Sequence, residues 1–234
     1  MSTLVTYRTE EGIATVTMDD GKRNALSQQM FAELNAAFDR ALAEKVPVIL
    51  TGRPETFSAG FDLKVMMAGG ADAANMVLAG FELGHRLLGF PTPVVVACNG
   101  NAIAMGAFLL LSTDYRIGTA GPYRVVANEV AIGITMPHFG VEICRQRLAP
   151  AHFQRAVINS ESYDPESAIA AGWLDRVVPE AELLATAHAK VQELLKLNAA
   201  AHAATKLRAR KLALEAVHTA IANDRTDFKK IFGL

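Results

Sequence analysis

The chain contains two short glycine-bearing loops, Phe57-Ser58-Ala59-Gly60-Phe61-Asp62-Leu63 and Asn99-Gly100-Asn101-Ala102-Ile103-Ala104-Met105-Gly106, and each lies between a β-type run and a helical run. Gly60 permits a turn where a side chain would clash, and Gly100 and Gly106 are expected to do the same before the second helix. The start of a helix has unpaired N–H donors and the positive end of the helix dipole. Two such starts that face one cavity would form an oxyanion hole, which binds a carbonyl oxygen as it becomes negative.

Such loops also occur as ordinary strand-to-helix turns, so a third feature is needed. Glu129 is the only acidic residue between Asp114 and Glu142, and its neighbours in the sequence are strongly apolar. A carboxylate in such surroundings loses hydration, and its pKa rises toward neutrality, where it can both accept and donate a proton. This pattern predicts a catalytic base at Glu129. The alternative is a glutamate at the exposed end of a strand.

Further motifs occur in order along the chain. They are Asn24-Ala25-Leu26-Ser27, Phe57-Ser58-Ala59-Gly60-Phe61-Asp62-Leu63-Lys64, Pro93-Val94-Val95-Val96-Ala97-Cys98-Asn99-Gly100, Asp114-Tyr115-Arg116-Ile117, Asn128-Glu129-Val130-Ala131-Ile132-Gly133 and Ala170-Ala171-Gly172-Trp173-Leu174-Asp175-Arg176-Val177-Val178. Together they resemble the crotonase superfamily of enoyl-CoA hydratases and isomerases over about residues 4–184. Several independent motifs in the right order are a more specific signal than a lone glycine pattern.

The resemblance implies an α/β protein of the ClpP/crotonase type. Residues 1–180 would form the ββα spiral core with both loops, and residues 181–234 would form a C-terminal helical region that covers the site and contacts other subunits. The resemblance also implies assembly into a homotrimer or a hexamer.

The periodicity of the chain adds particular elements. Residues 4–9 and 13–18 are predicted to form a hairpin, and Ser27 is predicted to cap a helix with one apolar face that includes Leu42. Residues 46–51 and 94–98 have the β-branched composition of buried strands. After Pro150 the pattern is almost wholly helical, apart from residues 176–178, with long helices over 180–195 and 199–222.

The resemblance assigns roles to particular residues. The backbone N–H groups of Phe61 and Met105 would form the oxyanion hole. The positions that would bind the substrate and its coenzyme A are Arg23, Ala25, Ala59, Gly60, Asp62, Leu63, Lys64, Gly106 and Phe108. As cations, Arg23 and Lys64 would also suit the phosphates of coenzyme A, although they could equally be solvated surface charges. The thioester is expected as a substrate, with no permanently bound cofactor and no metal.

Phe108 decides which chemistry the resemblance favours. Hydratases of the superfamily position one water with two glutamates, and this chain has Phe108 in place of the first and keeps only Glu129. A single base is sufficient to move a double bond, because it can take a proton from C2 of a 3-enoyl-CoA and return it at C4 while the oxyanion hole holds the enolate. We therefore expect an enoyl-CoA isomerase of fatty-acid β-oxidation.

Two residues keep other functions open. The imidazole of His138 could assist proton transfer or activate water, as in a hydratase or a thioester hydrolase, although a histidine beside a proline is often a capping or surface residue. Met105 stands where the superfamily usually has glycine. If its side chain fills the acyl channel, it would limit substrate length or abolish turnover. Met105 and Phe108 together therefore leave open a non-catalytic acyl-CoA-binding or assembly protein.

Composition sets the wider limits. The chain has 234 residues, 51% of them hydrophobic, and 23 lysines and arginines nearly balance 24 acidic residues, so a sizeable core is expected and nucleic acid is an unfavourable partner. Without a signal-peptide pattern or an apolar run of bilayer length, we expect a cytoplasmic protein that does not enter membranes. Cys98 and Cys144 have no motif spacing and are predicted to be reduced core thiols.

Overall fold

The computed structural model describes residues 3–231. The strands, in chain order, are β1 (Val5–Glu10), β2 (Ile13–Met18), β3 (Ala25–Leu26), β4 (Val48–Thr51), β5 (Glu55–Ser58), β6 (Gly60–Phe61), β7 (Val94–Cys98), β8 (Gly100–Ile103), β9 (Tyr115–Thr119), β10 (Val125–Val126) and β11 (Arg176–Val178). The helices are α1 (Gln28–Glu44), α2 (Leu63–Ala68), α3 (Gly70–Leu88), α4 (Met105–Leu111), α5 (His138–Arg145), α6 (Pro150–Val157), α7 (Pro165–Ala171), α8 (Leu183–Leu195), α9 (Ala199–Ala209) and α10 (Lys211–Ile231).

The main sheet has six strands in the order β1-β2-β4-β7-β9-β11. β1 pairs antiparallel with β2, and every other pair in this sheet is parallel. β4 and β7 are buried along their whole length because both faces of the sheet are covered. The large core lies on one face, and α8 covers the other through Leu183, Ala187 and Val191.

Two smaller sheets carry the loops. β5 and β10 flank β8 in a parallel three-stranded sheet, and β3 pairs with β6 in a parallel two-stranded sheet. The first loop runs from β5 through β6 into α2, and the second runs from β8 into α4. Both loops thus leave neighbouring parallel strands in the same direction, so their helix starts lie at the same edge.

Most of the predicted elements are confirmed. The hairpin forms β1 and β2, and the Ser27 hydroxyl accepts a hydrogen bond from the backbone N–H of Met30, 3.2 Å away, at the start of α1. Leu42 is an error in the predicted apolar face, because it lies 43% exposed near the end of α1. Val46 lies outside β4, which begins two residues later.

The single helix predicted over residues 199–222 is wrong. Two helices, α9 and α10, meet at Arg210, whose guanidinium donates to the carbonyl oxygens of Leu88 and Thr113 and pairs with Asp114. Lys206, on the last turns of α9, lies 2.6 Å from the other carboxylate oxygen of the same Asp114. These buried ion pairs fasten the C-terminal helices to the end of α4 and the start of β9. Residues 232–234 of the predicted helical region lie outside the described residues.

Candidate active site

A buried asparagine organises the first loop. The Asn24 side chain donates to the carbonyl oxygens of Met18 (2.9 Å) and Phe57 (3.1 Å), which ties the turn after β2 to the end of β5. The Ser58 hydroxyl donates to the carbonyl oxygen of Asn24 (2.8 Å) and accepts from the backbone N–H of Gly60 (3.1 Å). This network fixes the path of the chain into Gly60.

The two loops are in direct contact. Gly60 adopts a positive φ of 86°, and a Cβ placed on it would lie 3.0 Å from both the Cβ of Ala104 and the carbonyl oxygen of Ile103. A Cβ on Gly106 would lie 2.8 Å from the Cβ and the carbonyl oxygen of Ser58. Glycine at both positions is therefore what allows the two backbones to approach.

The three loop glycines do not share one role. Gly60 serves the turn that the sequence predicts, because its φ is positive. Gly100 and Gly106 are not among the residues with a positive φ in the described range 3–231. At these two positions, glycine allows close packing instead. At Gly100, a Cβ would come within 2.0 Å of the carbonyl carbon of Glu55 on the neighbouring strand β5.

Both predicted oxyanion donors directly follow residues at this contact. Phe61 comes after Gly60, and Met105, the first residue of α4, comes after Ala104. The N–H groups in the first turn of a helix have no acceptor within that helix, and no side chain caps α4 at Ala104. The Met105 N–H is thus a donor at a helix start, as the prediction requires. The oxyanion role of the two groups stays a prediction.

Ala104 adopts a conformation that sequence reasoning missed. Its φ of 51° and ψ of −122° lie where L-residues are rarely found. Such a backbone persists only when the surrounding structure imposes it, and it stores on the order of 1–3 kcal/mol. No signal in the sequence could have revealed it, because alanine has no preference for positive φ.

Glu129 reaches the same region by strand pairing. β10 runs parallel to β8 with Val126 opposite Ile103, and the Ala104 N–H donates to the carbonyl oxygen of Val126 (2.9 Å). Glu129 lies three residues beyond Val126, and Met105 lies two beyond Ile103. The carboxyl ends of these paired strands therefore direct Glu129 and the second loop to one edge.

The Glu129 carboxylate is poorly solvated. The residue is 7% exposed, and its Oε2 has no hydrogen-bond partner within residues 3–231. Burial raises the pKa of Glu129 to about 7, opposed only by a hydrogen bond with its own backbone. The charge of Glu129 in turn adds to the effect of burial in raising the pKa of Cys144 on α5. The sequence was right to place Glu129 in apolar surroundings, and the exposed alternative is wrong.

Phe81, Phe108 and Phe139 form what we call the aromatic wall. The rings of Phe81 and Phe139 stack with centroids 4.4 Å apart, and Phe108 meets Phe139 edge-on at 6.1 Å. The small residues Gly84 and Gly140 make room, because a Cβ on them would lie 2.6 Å from Phe139 and 3.1 Å from Phe108 respectively. Met105 is fully buried in the same hydrophobic core as these three rings.

The structure brings part of the predicted coenzyme A set together. The backbone carbonyl oxygen of Arg23 accepts a hydrogen bond from the backbone N–H of Ala59 (3.0 Å), and Ala25 pairs with Gly60 between β3 and β6. Asp62 caps α2 by accepting from the backbone N–H of Lys64 (2.9 Å). The side chains of Arg23, Leu63 and Lys64 are exposed beside this strand pair, whereas Gly106 and Phe108 lie buried on α4.

His138 is the first residue of α5. Its side chain is 51% exposed, and its Nε2 lies 3.3 Å from a carboxylate oxygen of Asp227 on α10. This is the helix-start position that the sequence offered as the alternative to an acid or base.

Cys98 and Cys144 are free and buried, as predicted. Burial raises the pKa of Cys98 to about 12, so the thiol stays protonated.

No three histidine, cysteine or acidic residues come together as a metal site in the described part of the chain. Likewise, none of its helices has the length and apolar character required to span a bilayer.

The chain is similar to known proteins in both sequence and structure. Residues 8–233 match the family model described as enoyl-CoA hydratase/isomerase. The structure is similar to that of an enoyl-CoA hydratase/isomerase family protein from Pseudomonas syringae, with a TM-score of 0.94 and 48% identity, covering 95% of this chain and 97% of that one. This similarity confirms the crotonase fold.

Two relatives with different activities are equally similar in sequence. Human mitochondrial enoyl-CoA delta isomerase 1 is 31% identical, over 86% of this chain and 68% of the relative. Carnitinyl-CoA dehydratase from Salmonella heidelberg is also 31% identical, over 83% of this chain and 75% of the relative. Identity alone therefore does not separate the two activities.

Replacing Ala104 with glycine is expected to raise the free energy of unfolding by about 1 kcal/mol, because glycine adopts the observed φ and ψ without strain. Urea unfolding monitored by circular dichroism measures the change. Ala107→Gly, within α4, is the matched control and is expected to lower stability by a similar amount. Destabilisation by both substitutions would contradict strain at Ala104.

The raised pKa of Glu129 makes stability depend on pH. The folded state favours the protonated carboxyl, so this contribution is present below the ordinary pKa of 4.5 and is lost as pH rises through about 7. At pH 8, Glu129→Gln is expected to be more stable than the native chain by about 1–3 kcal/mol, and the difference should vanish near pH 4.5. Urea unfolding at both pH values measures it. Glu10→Gln, at an exposed position, is the control. A stability difference between Glu129→Gln and the native chain that did not change with pH would contradict the raised pKa of Glu129.

Proposed function

The chain belongs to the enoyl-CoA hydratase/isomerase family, and from that premise we propose that it moves the double bond of a 3-enoyl-CoA to the 2 position during fatty-acid oxidation. The observation that carries this proposal is the buried carboxylate of Glu129, which lies at the same edge as the second loop, with Phe108 on the helix that follows that loop. Isomerisation requires one group that accepts a proton and returns it to a different carbon.

Each step uses a group already described. The Glu129 carboxylate takes the proton from C2, and the electron pair moves toward the thioester oxygen to give an enolate. The N–H groups of Phe61 and Met105 stabilise that oxygen as it becomes negative. The protonated Glu129 then delivers the proton to C4, which leaves the double bond between C2 and C3. A pKa of about 7 suits both transfers, because it balances basicity against acidity near neutral pH.

Phe108 supports isomerisation over hydration. Addition of water needs a group that holds and activates the water, and Phe108 presents an apolar ring packed against Phe139. Exclusion of water also protects the enolate from unwanted protonation by solvent. Human enoyl-CoA delta isomerase 1 is a relative with this activity in its name.

Hydration or dehydration is the second candidate. The observation that favours it is the equal similarity to Salmonella carnitinyl-CoA dehydratase. In this case, or in thioester hydrolysis, His138 would be the auxiliary group, although its side chain is half-exposed and faces Asp227. A non-catalytic acyl-CoA-binding role remains the third, motivated by the buried Met105.

The substrate is proposed to be a coenzyme A thioester, with no resident cofactor. Its coenzyme A moiety would lie along the β3–β6 pair, where Ala25 and Ala59 offer small surfaces. The exposed cations Arg23 and Lys64 would face the phosphates.

We also propose assembly into a trimer or a pair of trimers. Three aliphatic residues just after Glu129, Val130, Ile132 and Ile134, are exposed, and so is Ile158 near the turn that contacts them. A second copy of the chain would remove this apolar surface from water. Sedimentation equilibrium is expected to give three or six times the subunit mass, with Ile132→Asp shifting the distribution toward the monomer. A monomeric native chain would contradict the assembly.

One assay separates the three functions. The protein is incubated with 3-enoyl-CoA and with 2-enoyl-CoA in heavy-oxygen water, and bond position and oxygen uptake are followed by mass spectrometry. We expect interconversion of the two substrates without oxygen uptake. Oxygen on carbon would show hydration, oxygen in a free carboxylic acid would show hydrolysis, and binding without turnover would show the non-catalytic role.

Glu129→Gln is expected to lower the isomerisation rate by about 10²–10⁴-fold, because the amide cannot accept the C2 proton. Coenzyme A binding, measured by calorimetry, should persist. Glu142→Gln, the next acidic residue along the chain, is the matched control and should retain activity. Full activity in the Glu129 variant would disprove its role as the base.

A further inference from the structure

The start of α5 is capped by a residue from a distant helix. The Asp224 carboxylate on α10 accepts hydrogen bonds from the backbone N–H groups of His138 and Phe139, both at 2.8 Å. The residue before the helix, Pro137, provides no side-chain cap. Asp224 therefore satisfies two donors that α5 cannot satisfy locally, and its charge meets the positive end of the helix dipole.

Asp224 is more deeply buried than a residue that caps a helix at the protein surface. It is only 2% exposed, and burial raises the pKa of its carboxyl, with the two backbone hydrogen bonds opposing this effect. The titratable side chains that act on it are His138 on α5 and Asp227 on α10. A buried carboxylate with both oxygens bonded to one helix start holds that start in a single position.

One of the two capped residues, Phe139, belongs to the aromatic wall. Phe139 is the second residue of α5, and its ring stacks on Phe81 and contacts Phe108 edge-on. Phe139 fits the space beside Gly84, where a Cβ would be only 2.6 Å from the ring. Such tight packing converts a small displacement of α5 into a displacement of the whole ring.

The same short helix also borders the catalytic region at its other end. Cys144, in the last turn of α5, is close enough to Glu129 for the two groups to interact electrostatically. α5 thus extends from the aromatic wall to the neighbourhood of Glu129, and α10 packs along it.

We propose that Asp224 is a positioning residue for the reaction. By capping α5, it fixes Phe139 in the aromatic wall and thereby shields the Glu129 carboxylate from water. The inference rests on the proposed function only in treating Glu129 as the base. Asp224 acts through α5 and does not touch the substrate.

The test measures the pKa of Glu129 without turnover. The protein is labelled with ¹³C at the glutamate side-chain carboxyl, the Glu129 resonance is assigned by its absence in Glu129→Gln, and it is titrated by NMR. Loosening of α5 admits water, which favours the ionised carboxylate, so Asp224→Ala should lower the pKa of Glu129 by about one unit. The acidic limb of the kcat profile should move by the same amount.

Two further variants keep the test decisive. Asp224→Asn preserves shape but replaces one acceptor oxygen with a donor amide, and it should shift the pKa in the same direction by a smaller amount, even if Asp224→Ala does not fold. Asp227→Asn, on the same helix with a half-exposed side chain, is the matched control and should leave the pKa unchanged.

An unchanged Glu129 pKa in a folded Asp224 variant with lower thermal stability would overturn the proposal and leave Asp224 as a structural cap. Failure of the proposed function has a different signature. In that case the native chain would incorporate solvent oxygen or show no turnover, or Glu129→Gln would retain activity, while the NMR titration result would stand on its own.

Discussion

The active-site region depends on the close approach of two backbones. Gly60 touches Ala104, and Gly106 touches Ser58, at distances that leave no space for a side chain on either glycine. Any larger residue would separate the loops by roughly the width of a methyl group and would displace the N–H groups of Phe61 and Met105 that follow them. The buried Asn24 network holds the first loop in this contact, and the surrounding structure in turn maintains the strained backbone of Ala104.

A second constraint is the cost of keeping a carboxylate out of water. Within residues 3–231, Oε2 of Glu129 has no hydrogen-bond partner, and burial raises the pKa of this carboxyl. The fold tolerates this because the group can be neutral when the site is empty. The property that makes the residue suitable for proton transfer is therefore one that weakens the fold at alkaline pH, a conflict common at functional sites.

Much of this could be predicted from local sequence. The hairpin, the Ser27 cap, the buried strand β7 and the two loops all have signals within a few residues, and Glu129 was identified by its apolar neighbours. What could not be predicted depends on distant partners. The break at Arg210 arises from carbonyl oxygens and a carboxylate that lie far away in the sequence, and Asp224 meets Phe139 across 85 residues. Ala104 differs again, because its side chain carries no information about its backbone.

Both anchors of the C-terminal helices have a consequence for the timing of folding. During synthesis the loops, Glu129 and α5 leave the ribosome before Lys206, which pairs with Asp114, and before Asp224, which caps α5. Until those two residues emerge, α5 lacks the cap that Asp224 provides, and Asp114 lacks its lysine partner. Synthesis is thus ordered so that the contacts that fasten the C-terminal helices to the core are among the last to form.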